Sequence, residues 1–134
     1  MGVCTLLILK LTFLISLPYQ FLWKVLVLVV VYSRWTQGVA CCLCAYARDN
    51  GKSNYFFKNV DIKDIVMGGV GSVIIFFLLI GLKGFLLFSL GLIPVLMFIK
   101  FSQRKIGGMT GDSVGATNEI AELTILFLSL IFLK

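Results

Sequence analysis

The run Val73-Ile74-Ile75-Phe76-Phe77-Leu78-Leu79-Ile80 is apolar at every position, whichever regular element it adopts. A strand of a transmembrane barrel alternates polarity over ~10 residues, so such a run excludes that architecture and favours a helix with lipid or protein on all sides. Similar runs recur along the whole chain. Composition agrees: of 134 residues, 60% are hydrophobic and 13% are charged. Ordinary soluble chains carry about 25% charged residues, and a chain this poor in charge cannot cover its apolar surface in water.

Charge and proline divide the chain into five apolar segments, at residues 2–17, 19–47, 65–82, 84–101 and 120–133. Pro18 closes the first, Arg34 sits near the middle of the second, Gly68, Gly69 and Gly71 loosen the start of the third, and Pro94 lies inside the fourth. The fifth reaches a membrane-crossing length of ~20 residues only by beginning further back, near Ser113. The expected fold is therefore all-α: a polytopic integral membrane helical bundle of about five transmembrane helices, with residues 1–134 as a single membrane domain. Residues 1–17 do not read as a secretion signal, because they lack a basic start, carry Lys10 inside the apolar stretch and precede no small-residue cleavage site.

The net charge is +6, but the basic residues flank apolar segments and form no stripe on a polar face. They read as topology, and no nucleic-acid partner is expected. Two polar stretches, 48–64 and 102–118, fall on the same side of the membrane, and that side carries Arg48, Lys52, Lys58, Lys63, Lys100, Arg104 and Lys105. The other side has Lys83 and Lys134, with Lys24 near its surface. The positive-inside rule makes both stretches and the N-terminus cytoplasmic and the C-terminus external.

Chemistry concentrates in residues 107–122. Gly107, Gly108 and Gly111 allow backbone amides to approach an anion, and Thr110 and Ser113 add hydroxyls, which together suit a phosphate cradle. Asp112, Glu119 and Glu122 share one face of a helix running from Asp112, and hard oxygen ligands so arranged suit Mg²⁺ bound through carboxylates and substrate phosphates. A competing use of Gly107, Gly111 and Gly115, which recur every fourth residue, is close helix packing. Acids at the mouth of an apolar segment favour function, since an unpaired carboxylate there is costly. Arg34, in Tyr32-Ser33-Arg34-Trp35, faces either an interior cavity or carboxylate or, if the segment breaks there, an interface. Arg48, beside an Asn50-Gly51 turn, either binds phosphate or only sets topology. With no histidine in the chain, Cys4, Cys41, Cys42 and Cys44 read as small packing residues, and no Ser-His or Cys-His catalysis is available. No lysine follows the glycines as a Walker loop requires.

The pattern Gly107-Gly108-x-Thr110-Gly111-Asp112-x-x-Gly115-Ala116-x-x-Glu119-x-x-Glu122 resembles the C-terminal motif of the cobalamin synthase (adenosylcobinamide-GDP ribazoletransferase) family. Ser33-Arg34-Trp35, then Tyr46-Ala47-Arg48 with Gly51, precede it in the family's order. The resemblance implies a multi-pass enzyme of the cytoplasmic membrane of a prokaryote. It would join adenosylcobinamide-GDP to α-ribazole or its 5′-phosphate, release GMP and require Mg²⁺. On that reading Asp112, Glu119 and Arg34 are catalytic, with Asp112 a metal ligand and Glu119 a second ligand or its orienter. Gly107, Gly108, Thr110, Gly111, Arg48 and Glu122 bind or support the substrate.

The family's second acidic motif, in its N-terminal half, has no counterpart here, since Asp49, Asp61 and Asp64 are the only other acids. The chain therefore reads as the C-terminal part of a longer family domain, its partners being the two substrates, membrane lipid, and a missing N-terminal half or a second copy. Two other readings stand beside the transferase: a catalytically silent membrane subunit, and another membrane phosphoryl-transfer enzyme.

Overall fold

A computed structural model describes residues 2–47, 61–107 and 110–133. Their regular structure is helical throughout: α1 (Gly2–Ser16), α2 (Tyr19–Ala47), α3 (Ile62–Ile80), α4 (Leu82–Ile106) and α5 (Gly111–Leu133). Four of them, α2 to α5, are long and apolar enough to cross a membrane. The chain is thus a multi-pass helical membrane protein. With 15 residues, α1 spans only about 22 Å at 1.5 Å per residue, short of the ~30 Å hydrocarbon core.

The fifth segment does begin further back, at Gly111. The stretch expected as a polar loop at 102–118 is mostly helix, because α4 runs on to Ile106 and α5 starts at Gly111. Polar residues there continue the flanking helices beyond the apolar level instead of leaving them.

At the centre lies α5, packed by α1, α2 and α4, while α3 packs on α2 and α4. Its inward face repeats every fourth residue, with Ser113, Thr117, Ala121, Ile125, Ser129 and Leu133 all buried. Small side chains at the top of this stripe let backbones approach closely, which is how membrane helices associate without a hydrophobic driving force. Their hydroxyls are satisfied locally, as in Thr117 Oγ1 donating to the Ser113 carbonyl at 2.8 Å. From α2, Val25, Leu28, Val29, Tyr32, Ser33, Thr36 and Ala40 are buried at the i, i+3, i+4 spacing of one helix face. Ile15, Met67, Leu78 and Leu82 are exposed. In a membrane such residues face lipid.

Two glycine positions fix how the helices meet. Gly81 alone separates α3 from α4, has φ 72° and donates its N–H to the Phe77 carbonyl at 2.7 Å. This backbone conformation suits glycine, which has no Cβ. Three residues on, a Cβ at Gly84 would overlap the Phe76 carbonyl, so only glycine allows the hairpin to close.

An aromatic group joins α2, α3 and α4: Tyr32, Phe76 and Phe88 pair at 5.3 to 5.8 Å between ring centroids, and Trp35 lies 4.9 Å from Phe88. The Trp35 indole covers Gly68 and Gly69, and its Nε1 donates to the Ile65 carbonyl at 3.0 Å. Trp35 therefore lies level with the first turn of α3, and the rest of α2 rises past the end of that helix.

Candidate functional site

A carboxylate in an apolar bundle needs a partner, and the partner of α5's acids comes from α1. Lys10 Nζ lies 2.5 Å from Glu119 Oε2 and 2.7 Å from Glu122 Oε2. Asn118 Nδ2 donates to the other Glu122 oxygen, Oε1, at 2.8 Å. The Lys10 side chain is 15% exposed, that of Glu122 22% and that of Glu119 40%. Two acids three residues apart on one helix repel, and one ammonium between them leaves the cluster with a single net negative charge. Below it, the Phe13 and Phe127 rings meet at 6.0 Å, so α1 runs parallel to α5.

Sequence reasoning placed Lys10 only as an interruption of an apolar stretch, and it passed over Asn118. The available signal was the lone cation inside an apolar run, which in a membrane calls for an acid on a neighbouring helix. Which helix supplies it depends on packing.

Above the cluster, Asp112, Gly115, Glu119 and Glu122 follow one another at spacings of three, four and three along α5. They form one face, as the spacing predicts, beside the buried small-residue stripe. Asp112 is exposed in the first turn of α5, and no ion pair or hydrogen bond of its side chain occurs among the described residues. Added Cβ atoms at Gly111 and Gly115 would meet nothing within 4 Å. The close-packing role open to these glycines therefore goes to Ser113, Thr117 and Ala121, and the glycine face stays clear.

The remaining motif residues shape the turn into α5. Gly107, with φ 70°, ends α4 and donates its N–H to the Gln103 carbonyl at 3.1 Å. Thr110 precedes α5, and its Oγ1 accepts from the Ser113 N–H at 3.4 Å and shares a hydrogen bond with Ser113 Oγ at 3.1 Å. This is the geometry of an N-cap, which leaves the other first-turn amides and the positive end of the helix dipole facing outward. Gly108 and Arg48 lie outside the described residues.

Arg34 lies within an unbroken α2. It is exposed, its Nη1 donates to Gln37 Oε1 at 3.3 Å, and no carboxylate pairs with it among the described residues. It lines a groove of about 380 Å³ between α2 and α3, with Trp35, Gly38, Asp64 and Gly68. Tyr32 and Ile125 both border Gly91, so helical rise puts Arg34 near the depth of Glu122. The two lie on different sides of α2, because Arg34 faces α3 and Glu122 faces α1.

A divalent cation was expected on Asp112 and Glu119. Among the described residues no cluster of three or more metal-ligating side chains exists. Seven residues of helix separate the two acids by about 10 Å, and Glu119 already holds Lys10. The donors fit Mg²⁺ bound through one free carboxylate, Asp112, and completed by water and phosphate oxygens, which is how Mg²⁺ usually sits on proteins.

Fold and site together define a polytopic helical membrane protein with a carboxylate-lined helix face at one end of its bundle. Comparison with known proteins gives that class a family. The cobalamin-5-phosphate synthase family model matches residues 1–130, and the chain belongs to that family. Similar curated proteins include the adenosylcobinamide-GDP ribazoletransferases of Clostridium tetani, 31% identical over 81% of this chain and 44% of the relative, and of Acetivibrio thermocellus, 33% identical over 98% of this chain and 54% of the relative. That of Chlorobaculum parvum is 32% identical over 78% of this chain and 43% of its own. The chain thus spans about half the length of the curated relatives it matches. No solved structure is significantly similar to it.

Proposed function

We propose that the chain carries part of the active site of an adenosylcobinamide-GDP ribazoletransferase, which joins adenosylcobinamide-GDP to α-ribazole or its 5′-phosphate and releases GMP. The observation that carries this reading is the open face at Gly111, Asp112 and Gly115, left clear above the Lys10–Glu119 contact in a chain of this family. A phosphate-bearing substrate is the ligand such a face suits.

In the reaction a ribazole hydroxyl attacks the phosphorus joined to the corrinoid side chain, the bond to the GMP oxygen breaks, and GMP departs. Asp112 would hold Mg²⁺, which when bound would supply charge neutralisation to the phosphate oxygens. The chain's own residues position. First-turn amides of α5 next to Gly111 donate to phosphate at the positive end of the helix, and glycine there leaves the approach unobstructed. Thr110 and Gly107 hold that turn in shape. Arg48 balances phosphate charge in this reading, whereas Arg34, on the side of α2 that faces α3 and level with Glu122, lies away from this face. Glu119 orients polar groups at the foot of the face, and Glu122 holds the cluster together. Such transfer needs alignment and charge balance more than a covalent nucleophile, which accords with a chain without histidine.

The proposed location is the cytoplasmic membrane of a prokaryote, with the 48–64 and 102–118 ends of the helices inside. Lys63, Lys100, Arg104 and Lys105 at that end, against Lys24 and Lys83 at the other, support this orientation. The test is GMP release from adenosylcobinamide-GDP and α-ribazole by the purified chain with Mg²⁺, with and without the N-terminal half of a relative. Turnover that disappears in Asp112→Asn is the expected result. No turnover in any combination would favour the silent subunit.

A further inference from the structure

We propose that Lys10 is a positioning residue of the site, which fixes Glu119 through a hydrogen-bonded chain so that one oxygen of that carboxylate is left for the substrate. The proposal rests on the reading of α5's open face as the active face. Tracing the bonds gives each member a different duty. Both oxygens of Glu122 are engaged, with Oε1 accepting from Asn118 and Oε2 from Lys10. Glu119 uses only Oε2, on Lys10, and no bond to its Oε1 occurs among the described residues. The chain Asn118–Glu122–Lys10–Glu119 therefore starts on one side of α5, passes through a residue of α1 and ends on a half-exposed carboxylate with one free acceptor. That carboxylate lies on the face of Asp112 and Gly115.

A structural ion pair alone would be satisfied by one acid. Here a second acid, Glu122, holds the ammonium from the other side, and Asn118 in turn holds Glu122. A lysine ammonium on a four-carbon stem is otherwise a loose point charge, and two anchors restrict where it can hold Glu119. Glutamate likewise has several rotatable bonds, and among the described residues Lys10 is the one polar partner of Glu119. On this view α1 serves to bring one cation to the foot of the face.

The experiment uses the full chain in lipid vesicles, supplied with the partner half if turnover needs it. Lys10→Arg keeps the cation and two donors, whereas Lys10→Met keeps the length and removes the charge. The expected result is a kcat at least tenfold lower in Lys10→Met with KM within about threefold of wild type, and recovery to within about threefold in Lys10→Arg. Equal kcat in Lys10→Met and wild type would overturn the proposal. Because Lys10→Met leaves two acids uncompensated and can fail to fold, Lys10→Met/Glu122→Gln is made beside it, with a single acid and no repulsion. This variant is expected to fold and to remain slow; recovered kcat would reduce Lys10 to charge balance and sink the positioning role.

A readout independent of turnover is the ¹³C NMR signal of the Glu119 carboxyl, assigned by Glu119→Gln. It should move in Lys10→Met/Glu122→Gln relative to Glu122→Gln, where the Lys10 contact remains. A signal that stays put overturns the proposal whatever the activity. A signal that moves in a protein without turnover leaves the clamp standing and removes the transferase reading.

Discussion

Replacing Tyr32 by phenylalanine should stabilise the bundle. Tyr32 is completely buried and its hydroxyl has no hydrogen-bond partner among the described residues. A buried polar group left unsatisfied costs about 1–3 kcal/mol. Tyr32→Phe deletes that group and leaves a space the size of one oxygen, worth about 0.5 kcal/mol at the usual cavity cost. The balance is a gain of about 0.5–2.5 kcal/mol.

The same oxygen limits Gly91, where a Cβ would lie 2.9 Å from Tyr32 Oη and 3.0 Å from Ile125 Cδ1. Gly91→Ala alone costs about 1–3 kcal/mol in overpacking, against about 1 kcal/mol gained in helix propensity. With Tyr32→Phe already in place the closest contact is gone, and the pair should couple favourably by about 1 kcal/mol. The assay is unfolding in mixed micelles by titration with a denaturing detergent, read by far-ultraviolet circular dichroism, on the four corners of the cycle. A Tyr32→Phe variant less stable than wild type by more than about 1 kcal/mol would show that the hydroxyl is bonded. A strictly additive cycle would refute the Gly91 contact.

Gly84→Ala places a methyl on the Phe76 carbonyl, where backbone cannot yield, and should cost more than about 2 kcal/mol in the same unfolding assay. Gly115→Ala has open space around it, so stability should hold or rise by up to about 1 kcal/mol while GMP release falls, because the methyl occupies the substrate's face. Thr110→Ala removes the acceptor for the Ser113 N–H and should cost about 1 kcal/mol, seen as faster amide hydrogen exchange confined to the first turn of α5.

Much of this was legible in the chain itself. Apolar runs bounded by charge and proline determine a helical membrane bundle because lipid offers backbone groups no partners, and each helix must satisfy its own. α1 and α2 begin where the polarity pattern puts them, and the single face shared by Asp112 and Glu119 follows from helical periodicity alone. Where polar residues continue a helix, as around Arg104 and from Asp112 to Asn118, composition could not separate helix from loop.

The division between packing and open glycines was likewise undecided by spacing. Gly107, Gly111 and Gly115 repeat every fourth residue, as do Ser113, Thr117 and Ala121; Gly107 ends α4, and only the angle at which α5 meets its neighbours buries the second set and frees Gly111 and Gly115. The tertiary structure alone also sends Arg34 towards α3 and brings Lys10 to Glu119 and Glu122, residues more than a hundred positions away. Charges in an apolar medium must find opposites, and the sequence states that need. Which charges meet is a property of the packed bundle.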